Sequence, residues 1–239
     1  MKKAIRALIG IIILINLVHI YPQGMLIKLN GNAVENPILV DKTIKEKTEF
    51  ININVEIPQI IGLSNKNGEK VINKEILDWT TMWIKDTKDV SEEFKPTVPY
   101  EMKANYILTN DKKILSFYID YYQFSGGAHG ITTRKPYNIS IDKGEKLQLK
   151  DLFDEGYDYK KFINEEIQKE INKHPDYYFT GKEGFQGIKD NQSFYIKDGK
   201  LIIHFPYYEI APYAFGMPEF EINTKLNYKE YINFDLKIL

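Results

Sequence analysis

Ser125-Gly126-Gly127-Ala128-His129-Gly130 is the stretch of this chain whose residue types could do chemistry. A hydroxyl, an imidazole and a run of backbone amides are the parts of an acyl-transfer site, with Ser125 as nucleophile, His129 as base and the glycine amides as an oxyanion hole. The surroundings oppose that reading. No Gly-x-Ser-x-Gly elbow encloses Ser125, and nothing singles out an acid to orient His129. Two readings stay open: a structural turn with His129 as a satisfied turn residue, and a recognition loop. The second is preferred, because glycines let a backbone lie close to a partner.

A second stretch is aromatic rather than nucleophilic. Pro206-Tyr207-Tyr208-Glu209-Ile210-Ala211-Pro212-Tyr213-Ala214-Phe215-Gly216 comes after a strand-like run, Leu201 to Phe205. Its prolines stiffen the segment and reduce the entropy lost on binding. Its tyrosines belong to the class enriched at interface hot spots. Some must pack into a sheet, and one or two are expected at the surface. Ser125, Gly126, Gly127, Ala128, His129 and Gly130, with Pro206, Tyr208, Pro212 and Tyr213, are therefore the expected partner-binding residues, forming one patch. No catalytic residue, metal site or cofactor is expected. His129, His174 and His204 show no H-x-H or H-E-x-x-H spacing. His204 lies mid-strand among apolar residues and reads as a buried, hydrogen-bonded side chain. The absence of cysteine excludes disulfides, thiolate metal sites and a Cys nucleophile.

These loops need a scaffold, and 239 residues with 43% hydrophobic content can supply a real core. The chain opens with Lys2, Lys3 and Arg6, then an apolar run from Ala7 to Ile20, as an export signal does. The positive-inside rule puts the long C-terminal part outside the cytoplasm. Residues 1–27 are read as a signal peptide or membrane anchor, so the protein is expected to be extracytoplasmic, either anchored through this segment or secreted. From Lys28 onward 29 basic residues, the total of 32 less the three in the leader, face all 33 acids, a balance of about −4. That does not suggest nucleic acid as a partner and is compatible with a cationic one.

Residues 28–46 are polar and read as a tether. Glu49 to Ile57 alternates strictly, as a half-buried strand does. Ile72, Ile76, Trp79 and Trp83, with Leu77 and Met82, form the stripe of a helix over 68–87. Asn110-Asp111-Lys112-Lys113, Asp142-Lys143-Gly144 and Lys197-Asp198-Gly199-Lys200 each sit between strand-like runs and predict hairpins. A second amphipathic helix starts after an Asp158 N-cap, runs through Ile171 and ends at His174-Pro175. A last strand covers Glu219 to Ile222. The order predicts an α+β fold, a mostly antiparallel sheet with two packed amphipathic helices.

Three pieces of this chain, Gly126-Gly127-Ala128-His129, Asp151-Leu152-Phe153 and Tyr208-Glu209-Ile210-Ala211-Pro212-Tyr213, occur in an order that resembles the DUF3298 family. That domain forms the outer part of RsiV-type anti-sigma factors and of some peptidoglycan deacetylases of the PdaC type. Residues 47–95, with Ile57-Pro58-Gln59-Ile60 and Val71-Ile72-Asn73-Lys74, resemble the DUF4163 region that precedes it, leaving 96–239 as the DUF3298-like domain. The resemblance implies a non-enzymatic recognition domain of the cell envelope that binds lysozyme or, alternatively, acts as a peptidoglycan- or carbohydrate-binding module; an uncharacterised hydrolase is the third class. A deacetylase needs an Asp/His metal set, which the family carries on a separate C-terminal domain. An anti-sigma factor needs a cytoplasmic segment longer than Met1–Arg6, so no sigma-factor partner is expected.

Overall fold

The structure, a computed structural model, describes residues 36–222. The leader reading and the first part of the tether reading lie outside the described residues. Within them no helix is long and apolar enough to cross a membrane.

Two sheets and two long helices make an α+β fold. The first sheet has the order β1 (Ile38–Lys47), β2 (Ile51–Ile61), β3 (Tyr100–Lys112), β4 (Ile114–Phe124), β5 (Ile131–Ser140) and β6 (Glu145–Lys146). All its pairs are antiparallel except β2 with β3, which α1 (Lys66–Phe94) connects as a crossover. The second sheet, β7 (Phe194–Lys197), β8 (Lys200–His204) and β9 (Glu219–Ile222), is antiparallel. It packs with α2 (Tyr159–Ile171) around its own core, which includes Ile163, Ile167, Ile203 and Phe220.

Strand β1 corrects the tether reading, since residues 38–47 pair along β2. The strand lies at the sheet edge and carries Asp41, Lys42, Lys45, Glu46 and Lys47, more charge than a buried strand tolerates. Charge on an edge strand blocks unwanted pairing, and in the sequence it reads as linker composition.

Helix α1 runs seven residues past its predicted end at residue 87. Its buried stripe is Ile72, Ile76, Thr80, Thr87 and Ser91, while Met82 is exposed. The later turns bury small polar side chains that satisfy themselves: Thr80 donates to the Ile76 carbonyl at 2.7 Å, and Ser91 to that of Lys88 at 2.8 Å. Trp79 and Trp83 pack on Tyr121 of β4, with centroids 4.2 and 5.0 Å away. Asn65 caps the helix, accepting from the Gly68 amide at 2.9 Å. Asn73 holds β2 beside it by accepting from the Ile60 N–H and donating to the Ile60 carbonyl, both at 2.8 Å. The segments Ile57–Ile60 and Val71–Lys74, on the consecutive elements β2 and α1, thus meet in one bidentate contact.

The predicted strand to Leu149 ends at Lys146. The Asp151 carboxylate accepts from the Gln148 amide at 2.8 Å and starts a 3-10 turn, Leu149–Leu152. Leu152 and Phe153 enter the second core, so Asp151-Leu152-Phe153 is a structural corner.

The sheets join through buried polar groups. Ser116 of β4 donates to Asn138 of β5 at 2.7 Å and accepts from the Ile196 amide at 2.9 Å; Asn138 donates to the Phe194 carbonyl at 2.8 Å. Side chains thereby satisfy backbone groups of β7 that no neighbouring strand reaches.

Candidate functional site

The loop between β4 and β5 and the segment after β8 meet. The Tyr213 hydroxyl donates to the Gly130 carbonyl at 3.0 Å. The His129 ring stacks on Tyr213 with centroids 4.0 Å apart, and its Nε2 lies 3.4 Å from the Tyr208 hydroxyl. Tyr207 and Tyr208 also stack on Tyr213, at 4.5 and 5.6 Å. Tyr213 is thus the hub of a four-ring cluster.

Each side is positioned by its own chemistry. At the loop base Trp83 Nε1 donates to Gln123 at 2.8 Å, and the Gln123 amide donates to Ser125 Oγ at 2.8 Å, linking α1 to the loop. Ser125 and His129 do not hydrogen bond to each other: His129 Nδ1 sits 2.9 Å from the Gly130 carbonyl oxygen. Gly126 and Gly127 have φ of +91° and +88°, and nothing lies within 4 Å of where a Cβ would be. Gly130 is buried, and a Cβ there would meet the Tyr122 ring at 2.5 Å. The tip is therefore bare and the base tightly packed.

On the other side Ile210 and Ala211 are buried anchors, and the Ile210 carbonyl accepts from the Phe179 amide at 2.9 Å. Pro206 is exposed, Pro212 and Tyr213 half-buried, and Tyr208 50% exposed. Tyr208 has φ of +64°, a left-handed conformation uncommon for a bulky non-glycine residue. It is this backbone that carries the Tyr208 ring toward His129. All ten predicted site residues therefore belong to two adjoining segments. Sequence reading missed a continuation: Tyr177, in a 3-10 turn after α2, stacks on Phe215 at 4.7 Å and on His174 at 5.1 Å. Tyr177 and Phe215 are each 47% exposed. No spacing in the sequence links residue 177 to residue 215.

Charges at the sheet junction are also linked by electrostatics to Tyr207. Arg134 of β5 forks onto Asp120 of β4 with two 2.7 Å bonds, also bonds Glu219 of β9, and lies 3.7 Å over the Tyr118 ring. Burial alone would lower the Arg134 pKa, but the bond to Asp120, with Glu219 behind it, holds it up. Burial, then the Glu219 carboxylate that accepts its hydroxyl proton at 3.0 Å, pushes Tyr195 up. His204 is buried as expected but not hydrogen bonded: neither ring nitrogen has a partner. Burial, reinforced by Arg134, pushes its pKa down to about 4.

Among the described residues no group of three or more His, Cys, Asp or Glu side chains is gathered as a metal would require. The site offers π faces, a hydroxyl and accessible backbone.

Known proteins match in the same places. A family profile described as "Deacetylase PdaC" matches residues 44–132, which include the glycine loop. One described as "Protein of unknown function (DUF3298)" matches residues 150–225, which include the tyrosine segment. The anti-sigma-V factor RsiV of Bacillus subtilis is 30% identical over 203 residues, covering 76% of this chain and 66% of RsiV. The peptidoglycan-N-acetylmuramic acid deacetylase PdaC of the same organism is 31% identical over 147 residues, covering 59% of this chain and 31% of PdaC. Crystal structures of DUF3298 proteins share the fold. One from Bacteroides fragilis has a TM-score of 0.63 at 16% identity, covering 84% of this chain and 96% of its own. One from Pseudomonas aeruginosa has a TM-score of 0.55 at 14% identity, covering 82% and 95%. The chain therefore carries a DUF3298 domain over residues 150–225, with a PdaC-type region over residues 44–132 ahead of it.

Proposed function

We propose that this chain is a non-enzymatic, extracytoplasmic recognition domain of the cell envelope, and that lysozyme is its ligand. One observation carries the reading: His129 and Tyr208, 79 residues apart in sequence, close into one partly exposed cluster around Tyr213. Stacked aromatics beside a bare glycine tip suit a flat protein contact, in which rings supply area at little entropic cost and the backbone approaches closely. The acidic balance beyond the leader favours a cationic muramidase. Relatives named as an anti-sigma factor and a peptidoglycan deacetylase support the envelope setting. Ser125 donates nothing to His129 and accepts from Gln123, which favours binding over hydrolysis.

The exposed Tyr177–Phe215 pair favours one second reading, a wall-glycan module in which rings stack on sugars. Titration of the purified chain with lysozyme and with insoluble peptidoglycan, at low and high salt, separates the two. Lysozyme affinity is expected to fall as salt rises. Retention by peptidoglycan alone, indifferent to salt, would replace the first reading with the second.

A further inference from the structure

The open face of the first sheet carries a second polar array, which reaches the candidate site only at Tyr122, whose ring lies against Gly130. Register places Lys45 of β1 opposite Asn54 of β2, Asn54 beside Lys103 of β3, and Lys103 opposite Tyr122 of β4. A parallel row holds Lys47, Asn52 and Glu101. Three strand steps of about 4.8 Å make the first row roughly 14 Å long. Lys45, Lys47, Asn52, Asn54 and Lys103 line a shallow hollow of about 470 Å³. Lys103 Nζ lies 5.7 Å from the Tyr122 ring centre and 2.8 Å from the Glu101 carboxylate. Glu46, the acid in the lining, is bonded to Lys88 at 2.6 Å. Among the described residues Lys45 and Lys47 are exposed and join no ion pair.

We propose that this face binds an extended, carboxylate-bearing glycan. The ammonium groups meet the carboxylates, the Asn52 and Asn54 amides bond ring hydroxyls as both donor and acceptor, and the Tyr122 ring offers a face to a sugar. Charge selects an anion, and the amides and ring select a saccharide over a bare phosphate chain, for which Arg forks or backbone nests would serve better.

The test is calorimetric titration of the full chain with polygalacturonate, its methyl ester and poly(glycerol phosphate). Polygalacturonate is expected to bind. Lys45→Glu/Lys103→Glu should weaken it at least about tenfold, or about 1.4 kcal/mol, and Asn52→Ala/Asn54→Ala should weaken it several-fold. The methyl ester should bind weakly, and Lys169→Glu on α2 should change nothing. Circular dichroism confirms that each variant is folded. Failure of polygalacturonate to bind, or binding that survives the double charge reversal, overturns the proposal. So does equally tight binding of poly(glycerol phosphate) that the asparagine variant leaves intact.

Discussion

Strand β5 has a glycine-bearing turn at each end, and the two use glycine for different reasons. At its far end Asp142-Lys143-Gly144 is locked against the start of α1. Ser64 and Asn65 donate to the Asp142 and Lys143 carbonyls at 3.2 and 3.0 Å, and a Cβ on Gly68 would lie 1.9 Å from the Gly144 carbonyl oxygen. At its near end Gly126 and Gly127 have open space where a Cβ would stand and supply only backbone freedom. In the first turn the N-cap of α1 occupies the space, since a Cβ on Gly144 would lie 2.5 Å from the Asn65 Cβ; the other turn keeps its space empty. A bare tip beside exposed rings is what a contact surface needs, whereas a filled turn contributes to stability.

Substitutions should expose that difference. The largest effect is expected at the locked end. Gly68→Ala drives a methyl into backbone that cannot step aside, and stability should fall by about 3 kcal/mol, read as a lower urea midpoint. The next concerns the layer that carries the tyrosine segment. The unfolded chain takes up a proton at His204 near its ordinary value of 6.5, the folded chain only near 4. Its contribution is fully present above 6.5 and is lost as pH falls through that window toward 4, by roughly 3 kcal/mol. Replacing it in His204→Phe should flatten that part of the stability–pH curve; an unchanged slope would mean that the imidazole finds a partner.

At the open end binding and stability should separate. Tyr208→Gly removes an exposed ring and relieves a left-handed backbone, so stability should move by no more than about 1 kcal/mol while lysozyme affinity falls by about 1–3 kcal/mol. Equal losses in both would make Tyr208 a structural residue. The smallest effect is expected from Gly126→Ala. Its methyl meets open space, so only the positive φ costs anything, about 1 kcal/mol of stability. A loss as large as that of Gly68→Ala would erase the distinction between the two turns.

Where local chemistry decides, the sequence was legible. Asp198-Gly199 has the positive φ values at both positions that a two-residue hairpin turn requires, Asp158 caps α2, and Glu219–Ile222 is a strand as predicted. Where tertiary packing decides, it was not. The edge strand β1 looks like linker because its charge serves an exposed edge. The end of α1 is hidden because Thr87 and Ser91 carry its buried stripe. The joint between the two sheets rests on Ser116 and Asn138, which nothing local marks as a junction. At the candidate site the two segments were recognisable through the family resemblance, yet the Tyr177–Phe215 stack and the unpartnered His204 ring arise only from the folded arrangement.

The most direct test of the contact surface is the affinity of immobilised chain for lysozyme with and without Ser125→Trp. The indole would stand on the bare tip without entering a core, since loop tips tolerate substitution. The account predicts that the unsubstituted chain binds lysozyme and that Ser125→Trp weakens binding about tenfold or more with an unchanged melting temperature. Equal affinity in the two proteins, or no lysozyme binding by the unsubstituted chain, would contradict it.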